Sequence, residues 1–197
     1  MSKAPQEHPP AIVLIAGSAG SFQAVCSLLS SLPGQLPVAV VVCIHRLKDV
    51  RHGFAESVMS RSGRQAAEPV DKEVVRSGRI YLAPANYHLY IDTGRTFSLS
   101  TEEAVNHSRP SIDLLFQSAA RVYGHSMTAI LLSGANQDGA IGVKAVAAVG
   151  GTVYIQDPHE CEVGTMPRAA AALLGSEYVM RLAAIQAALN RTLGKRP

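Results

Sequence analysis

The chain contains a serine, a histidine and an aspartate that each lie just beyond an apolar segment of strand length. These residues are Ser18, His45 and Asp138. A serine hydroxyl attacks a carbonyl carbon efficiently when a histidine removes its proton and a carboxylate holds that histidine in the correct tautomer. If the three side chains meet, the chemistry they predict is nucleophilic acyl transfer.

The apolar segments before these residues have the composition of strands in a parallel sheet. Residues 11–16, 36–44 and 128–132 are rich in aliphatic side chains, as expected for strands that are covered on both faces. The carboxyl ends of such strands lie along one edge of the sheet, and open α/β folds place their sites there. We therefore expect the three residues to converge at that edge.

The order of strand and helix signals predicts the fold class. Strands and helices alternate, which favours an α/β fold with a doubly wound, mostly parallel sheet flanked by helices. Turn residues around Asp92-Thr93-Gly94-Arg95 predict a short antiparallel β insertion around residues 79–100. Ser111 is the expected N-cap of a helix over residues 112–123.

Each of the three residues also has a structural explanation when it is considered alone. Ser18 and Asp138 precede predicted helices and could cap them, and a histidine at a strand end is often a hydrogen-bonded structural residue. A phosphate-binding turn at Gly17 and Gly20 is less favoured, because the third glycine of G-x-G-x-x-G and a Walker lysine are both absent. No histidine, cysteine or carboxylate spacing indicates a metal site.

Composition limits the class of protein. Of the 197 residues, 47% are hydrophobic and 17% are charged, which is typical of a compact globular protein. The apolar runs are too short to insert in a membrane, and residues 1–10 lack a signal-peptide core and predict a disordered tail. Three widely spaced cysteines are expected to be reduced, which favours the cytoplasm. A net charge of +3 without a recognition motif argues against nucleic-acid binding.

Several short motifs around these residues occur together in the order and spacing of a known family. The main ones are Ala16-Gly17-Ser18-Ala19-Gly20-Ser21, Ile44-His45-Arg46, and Leu132-Ser133-Gly134-Ala135-Asn136-Gln137-Asp138-Gly139. Supporting stretches are Ile80-Tyr81-Leu82-Ala83-Pro84, Arg109-Pro110-Ser111-Ile112-Asp113-Leu114-Leu115-Phe116, and Gly164-Thr165-Met166-Pro167-Arg168. Over about residues 11–193 the chain resembles the catalytic domain of CheB, the chemotaxis protein-glutamate methylesterase.

The resemblance implies an activity and roles for the three residues. The expected reaction is hydrolysis of glutamyl methyl esters, and deamidation of particular glutamines, on the cytoplasmic helices of methyl-accepting chemotaxis receptors. Ser18 would attack, His45 would carry the proton and Asp138 would orient His45. The resemblance implies no cofactor and no metal.

Departures from the family motifs lie next to the expected nucleophile and aspartate. Ala19, Ala135 and Asn136 replace a threonine, a methionine and a glycine of the family pattern, and together with Gly20 they are expected to line the oxyanion pocket. The residues His88, Arg46 and Met166 are further candidates for lining the site. These departures leave open a hydrolase for another ester or amide, or a non-catalytic signalling module that keeps the fold.

The domain organisation is also expected to differ from that of many family members. These commonly carry an N-terminal receiver domain, but only about ten residues precede the first predicted strand. We therefore expect residues 11–197 to form a single catalytic domain without a receiver domain in the chain. Regulation would then come from a separate domain or protein.

Overall fold

A computed structural model describes residues 11–45 and 53–194 of the chain. Its strands are β1 (Ile12–Gly17), β2 (Ala39–Ile44), β3 (Ile80–Leu82), β4 (His88–Ile91), β5 (Phe97–Ser100), β6 (Met127–Leu131), β7 (Thr152–Gln156) and β8 (Val179–Met180). Six of them form a parallel sheet in the order β3-β2-β1-β6-β7-β8, and β4 pairs with β5 in a separate antiparallel sheet.

Helices cover both faces of the parallel sheet. They are α1 (Phe22–Ser31), α2 (Phe54–Ser62), α3 (Ile112–Tyr123), α4 (Ala140–Ala148), α5 (Thr165–Leu174) and α6 (Leu182–Gly194). Side chains alternate along a strand, so Val13 and Ile15 of β1 pack with α1, α2 and α6, whereas Ile12 and Leu14 pack with α3, α4 and α5. The sheet is thus buried between two apolar layers. None of the helices in the described ranges is long and apolar enough to span a bilayer.

The strand order reverses next to β1. From β1 the chain adds β2 and β3 on one side, and it later returns to add β6, β7 and β8 on the other side. Such a reversal opens a crevice between the loops at the carboxyl ends of the strands. The loops that follow β1 and β6 border this crevice, and His45, the residue after β2, is adjacent to it.

The predicted fold class is confirmed, with one difference at the antiparallel insertion. The turn at residues 92–95 does join β4 to β5 in an antiparallel hairpin. However, β3 pairs in parallel with β2 and belongs to the main sheet, so within residues 79–100 the antiparallel strands are only β4 and β5. A strand of three residues is too short for its periodicity to reveal its partner. The predicted tail at residues 1–10 lies outside the described residues, and the single-domain organisation stays a prediction.

Arg64 closes the C-terminal end of α1. Its guanidinium donates hydrogen bonds to the carbonyl oxygens of Leu29 (3.2 Å), Leu32 (2.6 Å) and Gly34 (3.3 Å), and also to that of Pro33. The last carbonyl groups of a helix have no partner within the helix. Arg64 supplies a partner to Leu29 in the last turn of α1 and binds three carbonyl groups that follow the helix, so it ties the segment after α2 to the end of α1.

We expect Arg64→Lys to lower the free energy of unfolding by about 1–2 kcal/mol, because a lysine ammonium lacks the planar fork that reaches several carbonyl groups at once. Urea denaturation of the wild type and the variant measures the difference. Arg121→Lys, an exposed arginine on α3, is the matched control. Equal losses in the two variants would show that the contacts of Arg64 contribute no stability of their own.

Candidate active site

Ser18 occupies the turn between β1 and α1. Its backbone N–H donates to the carbonyl oxygen of Ser133 (2.8 Å), and its own carbonyl oxygen accepts from the Ser21 hydroxyl (2.7 Å). Gly20 completes the turn with a φ of +76°, and an added Cβ there would come within 2.9 Å of the Ser133 Oγ. Only glycine fits this position without strain. The turn is therefore held firmly on both sides of Ser18.

The hydroxyl of Ser18 is not used as a helix cap. The N-cap position of α1 is Ser21, and within the described residues no group forms a hydrogen bond with Ser18 Oγ. The backbone N–H groups of Ala19 and Gly20 also donate no hydrogen bond to any described residue. They directly precede Ser21, the N-cap of α1, at the end of the helix where the dipole is positive. A partly exposed hydroxyl therefore stands beside two free N–H groups.

His45 follows β2 and stands beside Ser18. The last residues of the two parallel strands, Gly17 and Ile44, are paired, and the His45 N–H donates to the Gly17 carbonyl oxygen (3.2 Å). Adjacent strands lie roughly 4.8 Å apart. The sheet register therefore places the backbones of Ser18 and His45 side by side, and a catalytic pairing of their side chains stays a prediction.

Asp138 lies in the loop between β6 and α4 and has no exposed surface. Its carboxylate accepts hydrogen bonds from five groups: His45 Nε2 (2.9 Å), Ser111 Oγ (3.0 Å) and the backbone N–H groups of Ile112 (2.7 Å), Asp113 (3.1 Å) and Gly139 (3.1 Å). Two of these donors belong to the first turn of α3. The carboxylate thus occupies the N-terminus of α3, where a negative charge is favoured.

The surroundings of Asp138 keep it ionised. Burial by itself raises the pKa of this carboxyl group, but the hydrogen bonds from His45, Ile112 and Asp113 outweigh the burial and hold the pKa below its usual value. Asp138 does not cap α4, the helix that follows it, because Gly139 occupies that N-cap with a φ of +92°. The expected capping role is replaced by one at α3, a distant part of the sequence.

The ring of His45 has a second partner that the sequence analysis missed. While Nε2 contacts Asp138, Nδ1 lies 3.2 Å from Ser108 Oγ. The amide nitrogen of Asn136 donates to the same serine oxygen (3.2 Å). Ser108 directly precedes the motif that begins at Arg109, but its type alone carries no signal of a contact with a residue 63 positions away.

His88 lies beneath the site and contacts the backbone of Ser111, one of the donors to Asp138. It is fully buried; its Nδ1 accepts from the Ser111 N–H (3.1 Å) and its Nε2 donates to the carbonyl oxygen of Glu103 (2.9 Å). Ser111 in turn caps α3, as predicted, by accepting from the Leu114 N–H (3.4 Å). His88 therefore fixes the loop that presents Ser111 to Asp138, and it has no surface with which to line the crevice.

Met166 is also fully buried, and it packs beneath the loop that carries the aspartate. An added Cβ at Gly134 would come within 2.5 Å of the Met166 Cε, and the Met166 N–H donates to the Gly134 carbonyl oxygen (2.9 Å). Ala135 is exposed and Asn136 is half-buried, so both lie at the mouth of the site. The predicted site residue Arg46 lies outside the described residues.

A second carboxyl group, Asp113, lies next to Asp138 and was not anticipated from the sequence. It is buried in α3, and its Oδ1 accepts from the Gly142 N–H (2.6 Å) in α4. Burial, supported by the negative charge of Asp138, raises the pKa of Asp113 to about 6, although the bond from Gly142 opposes the change. Two adjacent carboxyl groups thus have pKa values shifted in opposite directions.

The fold and the site together define a class. The chain is a doubly wound α/β protein in which the turn that carries Ser18, the residue His45 and the carboxylate of Asp138 lie at the carboxyl edge of a parallel sheet, with His45 bonded to Asp138. Within the described ranges, no group of three or more His, Cys, Asp or Glu side chains is placed to hold a metal ion. Residues 13–189 match the CheB methylesterase family. The chain therefore belongs to this family of carboxylic ester hydrolases, as the sequence motifs predicted.

Individual relatives agree with the family assignment. A candidate protein-glutamate methylesterase/protein-glutamine glutaminase of Leptospira interrogans is 39% identical over 173 residues, which cover 86% of this chain and 88% of that protein. A protein-glutamate methylesterase/protein-glutamine glutaminase of Bordetella pertussis is 33% identical, with 94% of this chain and 54% of that protein covered. The crystal structure of the Thermotoga maritima CheB methylesterase catalytic domain superposes with a TM-score of 0.85 at 29% identity, covering 92% of this chain and 98% of that one.

We expect Asp113→Asn to change how stability depends on pH. A raised pKa means that the folded protein holds a proton on Asp113 that the unfolded chain releases, so this group stabilises the fold at low pH and loses that effect as the pH rises to about 6. The Asp113→Asn side chain does not ionise, so the variant does not lose this stability as the pH rises. Its free energy of unfolding, relative to the wild type, should therefore increase between about pH 4 and pH 6.

Urea denaturation at intervals of half a pH unit measures this trend. Asp71→Asn, at an exposed position, controls for the removal of one carboxylate from the surface. A pH-independent difference between Asp113→Asn and the wild type would contradict the raised pKa.

Proposed function

We propose that the chain is a protein-glutamate methylesterase that hydrolyses glutamyl methyl esters on the cytoplasmic helices of methyl-accepting chemotaxis receptors. In this proposal Ser18 is the nucleophile, His45 is the base and Asp138 orients His45. The observation that carries the proposal is the bond of 2.9 Å between His45 Nε2 and the buried, ionised Asp138, beside Ser18 on the neighbouring strand. A receptor substrate of this kind places the protein in the cytoplasm.

The proposed reaction proceeds in two steps. Ser18 Oγ attacks the ester carbonyl carbon while His45 takes the hydroxyl proton, and the free N–H groups of Ala19 and Gly20 bind the developing oxyanion. The C–O bond to the methoxy group then breaks, and His45 returns its proton to the leaving methanol. Water, activated by the same histidine, hydrolyses the acyl-enzyme and restores Ser18 with a glutamate on the receptor. No cofactor takes part.

Deamidation of receptor glutamines is a second activity that the same site supports. The relatives from Leptospira interrogans and Bordetella pertussis are both named for a glutaminase as well as an esterase activity. An amide differs from a methyl ester in its leaving group, which would depart as ammonia after taking a proton from His45. The nucleophile and the oxyanion donors would be unchanged.

The choice of substrate depends on the mouth of the site. Ala135 is exposed in this chain, and the amide nitrogen of Asn136 donates to Ser108 Oγ and to the Asn106 carbonyl oxygen. A hydrolase for a different ester or amide is the alternative that these residues favour. The contact between His45 and the buried Asp138 argues against a non-catalytic module, because a catalytic histidine needs a carboxylate that orients its ring.

We expect Ser18→Ala to lower the rate of methanol release from methylated receptor by at least about 10³-fold, since no other group can form the acyl-enzyme. Gas chromatography of released methanol measures the rate. Ser30→Ala, an exposed serine on α1, is the matched control and should keep the wild-type rate.

A fluorophosphonate probe separates the outcomes of this test. The probe could label the wild type but not Ser18→Ala while no methanol is released. That result would support Ser18 as the nucleophile and reject the receptor ester as the substrate. Absence of both labelling and methanol release in the folded wild type would reject the hydrolase.

We expect Asp138→Asn to lower kcat by about 10³–10⁴-fold, because a neutral amide neither stabilises the imidazolium nor holds the His45 tautomer. Steady-state kinetics with methylated receptor measure the change, and circular dichroism verifies the fold. A variant that keeps kcat within about tenfold of the wild type would exclude Asp138 from the mechanism.

A further inference from the structure

A continuous line of hydrogen bonds reaches the ring of His45 from the side opposite Asp138. The Asn136 amide nitrogen lies 3.2 Å from Ser108 Oγ, which lies 3.2 Å from His45 Nδ1, while His45 Nε2 lies 2.9 Å from Asp138 Oδ2. Ser108 is only 9% exposed. The proposed mechanism leaves this serine without a role.

The chemistry of the end groups sets the direction of these bonds. The Asp138 carboxylate only accepts, so His45 Nε2 carries the hydrogen and Nδ1 of the neutral ring carries a lone pair. The Asn136 amide nitrogen only donates, so it uses a lone pair of Ser108 Oγ. The Ser108 hydroxyl then points its hydrogen to His45 Nδ1. Each bond in the line strengthens the next one.

This direction identifies the basic nitrogen of His45. Since Nε2 is committed to Asp138, the nitrogen that remains for the Ser18 proton is Nδ1. That nitrogen has one lone pair in the plane of the ring, so the hydroxyls of Ser108 and Ser18 cannot both donate to it at full strength. Ser108 has another acceptor within reach, because its Oγ lies 3.4 Å from the carbonyl oxygen of Asn106.

The position of Ser108 is fixed by its own backbone. Val105 and Ser108 exchange two backbone hydrogen bonds (3.1 and 2.9 Å) across a tight turn. The two residues between them, Asn106 and His107, have φ values of +50° and +60°. The turn therefore fixes the Ser108 backbone, from which the hydroxyl extends, independently of the His45 ring.

We propose that Ser108 is a positioning residue that holds His45 Nδ1 in the resting protein and yields it to Ser18 when substrate is bound. This role rests on the proposed function of Ser18 and His45. When Ser108 turns its hydrogen to the Asn106 carbonyl, the Nδ1 lone pair becomes free for the Ser18 proton. Once Nδ1 is protonated, Ser108 Oγ accepts from it. The ring keeps a partner in both protonation states and stays in place through the reaction.

Nitrogen-15 NMR of the His45 ring tests the contact without any turnover. In Ser108→Ala the Nδ1 signal should move downfield to the position of a pyridine-type nitrogen without a hydrogen-bond donor, whereas Ser108→Thr, which keeps the hydroxyl, should retain the wild-type signal. His107→Asn changes the exposed neighbour to another residue that tolerates a left-handed backbone, and it controls for disturbance of the turn. An unchanged Nδ1 signal in Ser108→Ala would overturn the proposal.

A second variant moves the hydroxyl while leaving Ser108 intact. Asn136→Asp replaces the donating amide nitrogen by an accepting oxygen, so the Ser108 hydroxyl should turn toward the new carboxylate and leave Nδ1. The Nδ1 signal should then move in the same direction as in Ser108→Ala. An Nδ1 signal that stays at the wild-type position in this variant would show that Asn136 does not set the direction of the bonds.

Kinetics test whether the contact supports catalysis. Ser108→Ala should lower kcat for methanol release by about tenfold with KM unchanged, and it should slow fluorophosphonate labelling of Ser18 by a similar factor, with recovery in Ser108→Thr. Unchanged or faster labelling in Ser108→Ala would overturn the proposal. Wild-type labelling without methanol release would reject the receptor ester as substrate and leave the labelling test of Ser108 intact.

Discussion

The buried carboxylate of Asp138 is the constraint on which the site depends. A charge without exposed surface costs several kcal/mol unless it is paired and hydrogen-bonded, and here five groups from three parts of the chain donate to it. These donors come from the end of β2, from the start of α3 and from the residue that follows the aspartate. Loss of any of these donors would leave the buried charge with fewer hydrogen bonds and would raise its free energy. The orientation of the His45 ring is one result of this arrangement.

The N-terminus of α3 therefore has two functions. It buries apolar side chains such as Ile112 and Phe116 against the sheet, and its first backbone N–H groups neutralise Asp138. His88 contributes from the far side by accepting from the Ser111 N–H. A histidine that seemed from its sequence position to be a candidate for the site thus supports the donors of the carboxylate. The geometry of the candidate site and the packing of the core are thus coupled through the N-terminus of α3.

The sequence predicted the sheet, the hairpin, the Ser111 cap and the family because these depend on local patterns or on motifs. Aliphatic runs of strand length and turn residues act within a few positions of each other. It did not predict the parallel pairing of β3, which has three residues, or the contacts of Ser108 and Asp113. Those contacts join residues that are far apart in the chain, and a single serine or aspartate gives no sign of such a partner.

The reversal of strand order at β1 has a consequence for how the protein acquires its reactivity. Ser18 and His45 belong to the half of the sheet built from β1, β2 and β3, whereas Asp138 belongs to the half that begins with β6, and 93 positions separate it from His45. The carboxylate reaches the histidine only after β6 has paired with β1, which is a slow, non-local step in the folding of a parallel sheet. A nascent or partly folded chain in which β6 is unpaired thus has Ser18 and His45 without the contact between His45 and Asp138. In the proposed mechanism, the reactivity of Ser18 is therefore a property of the completed domain, and it reports that the two halves have joined.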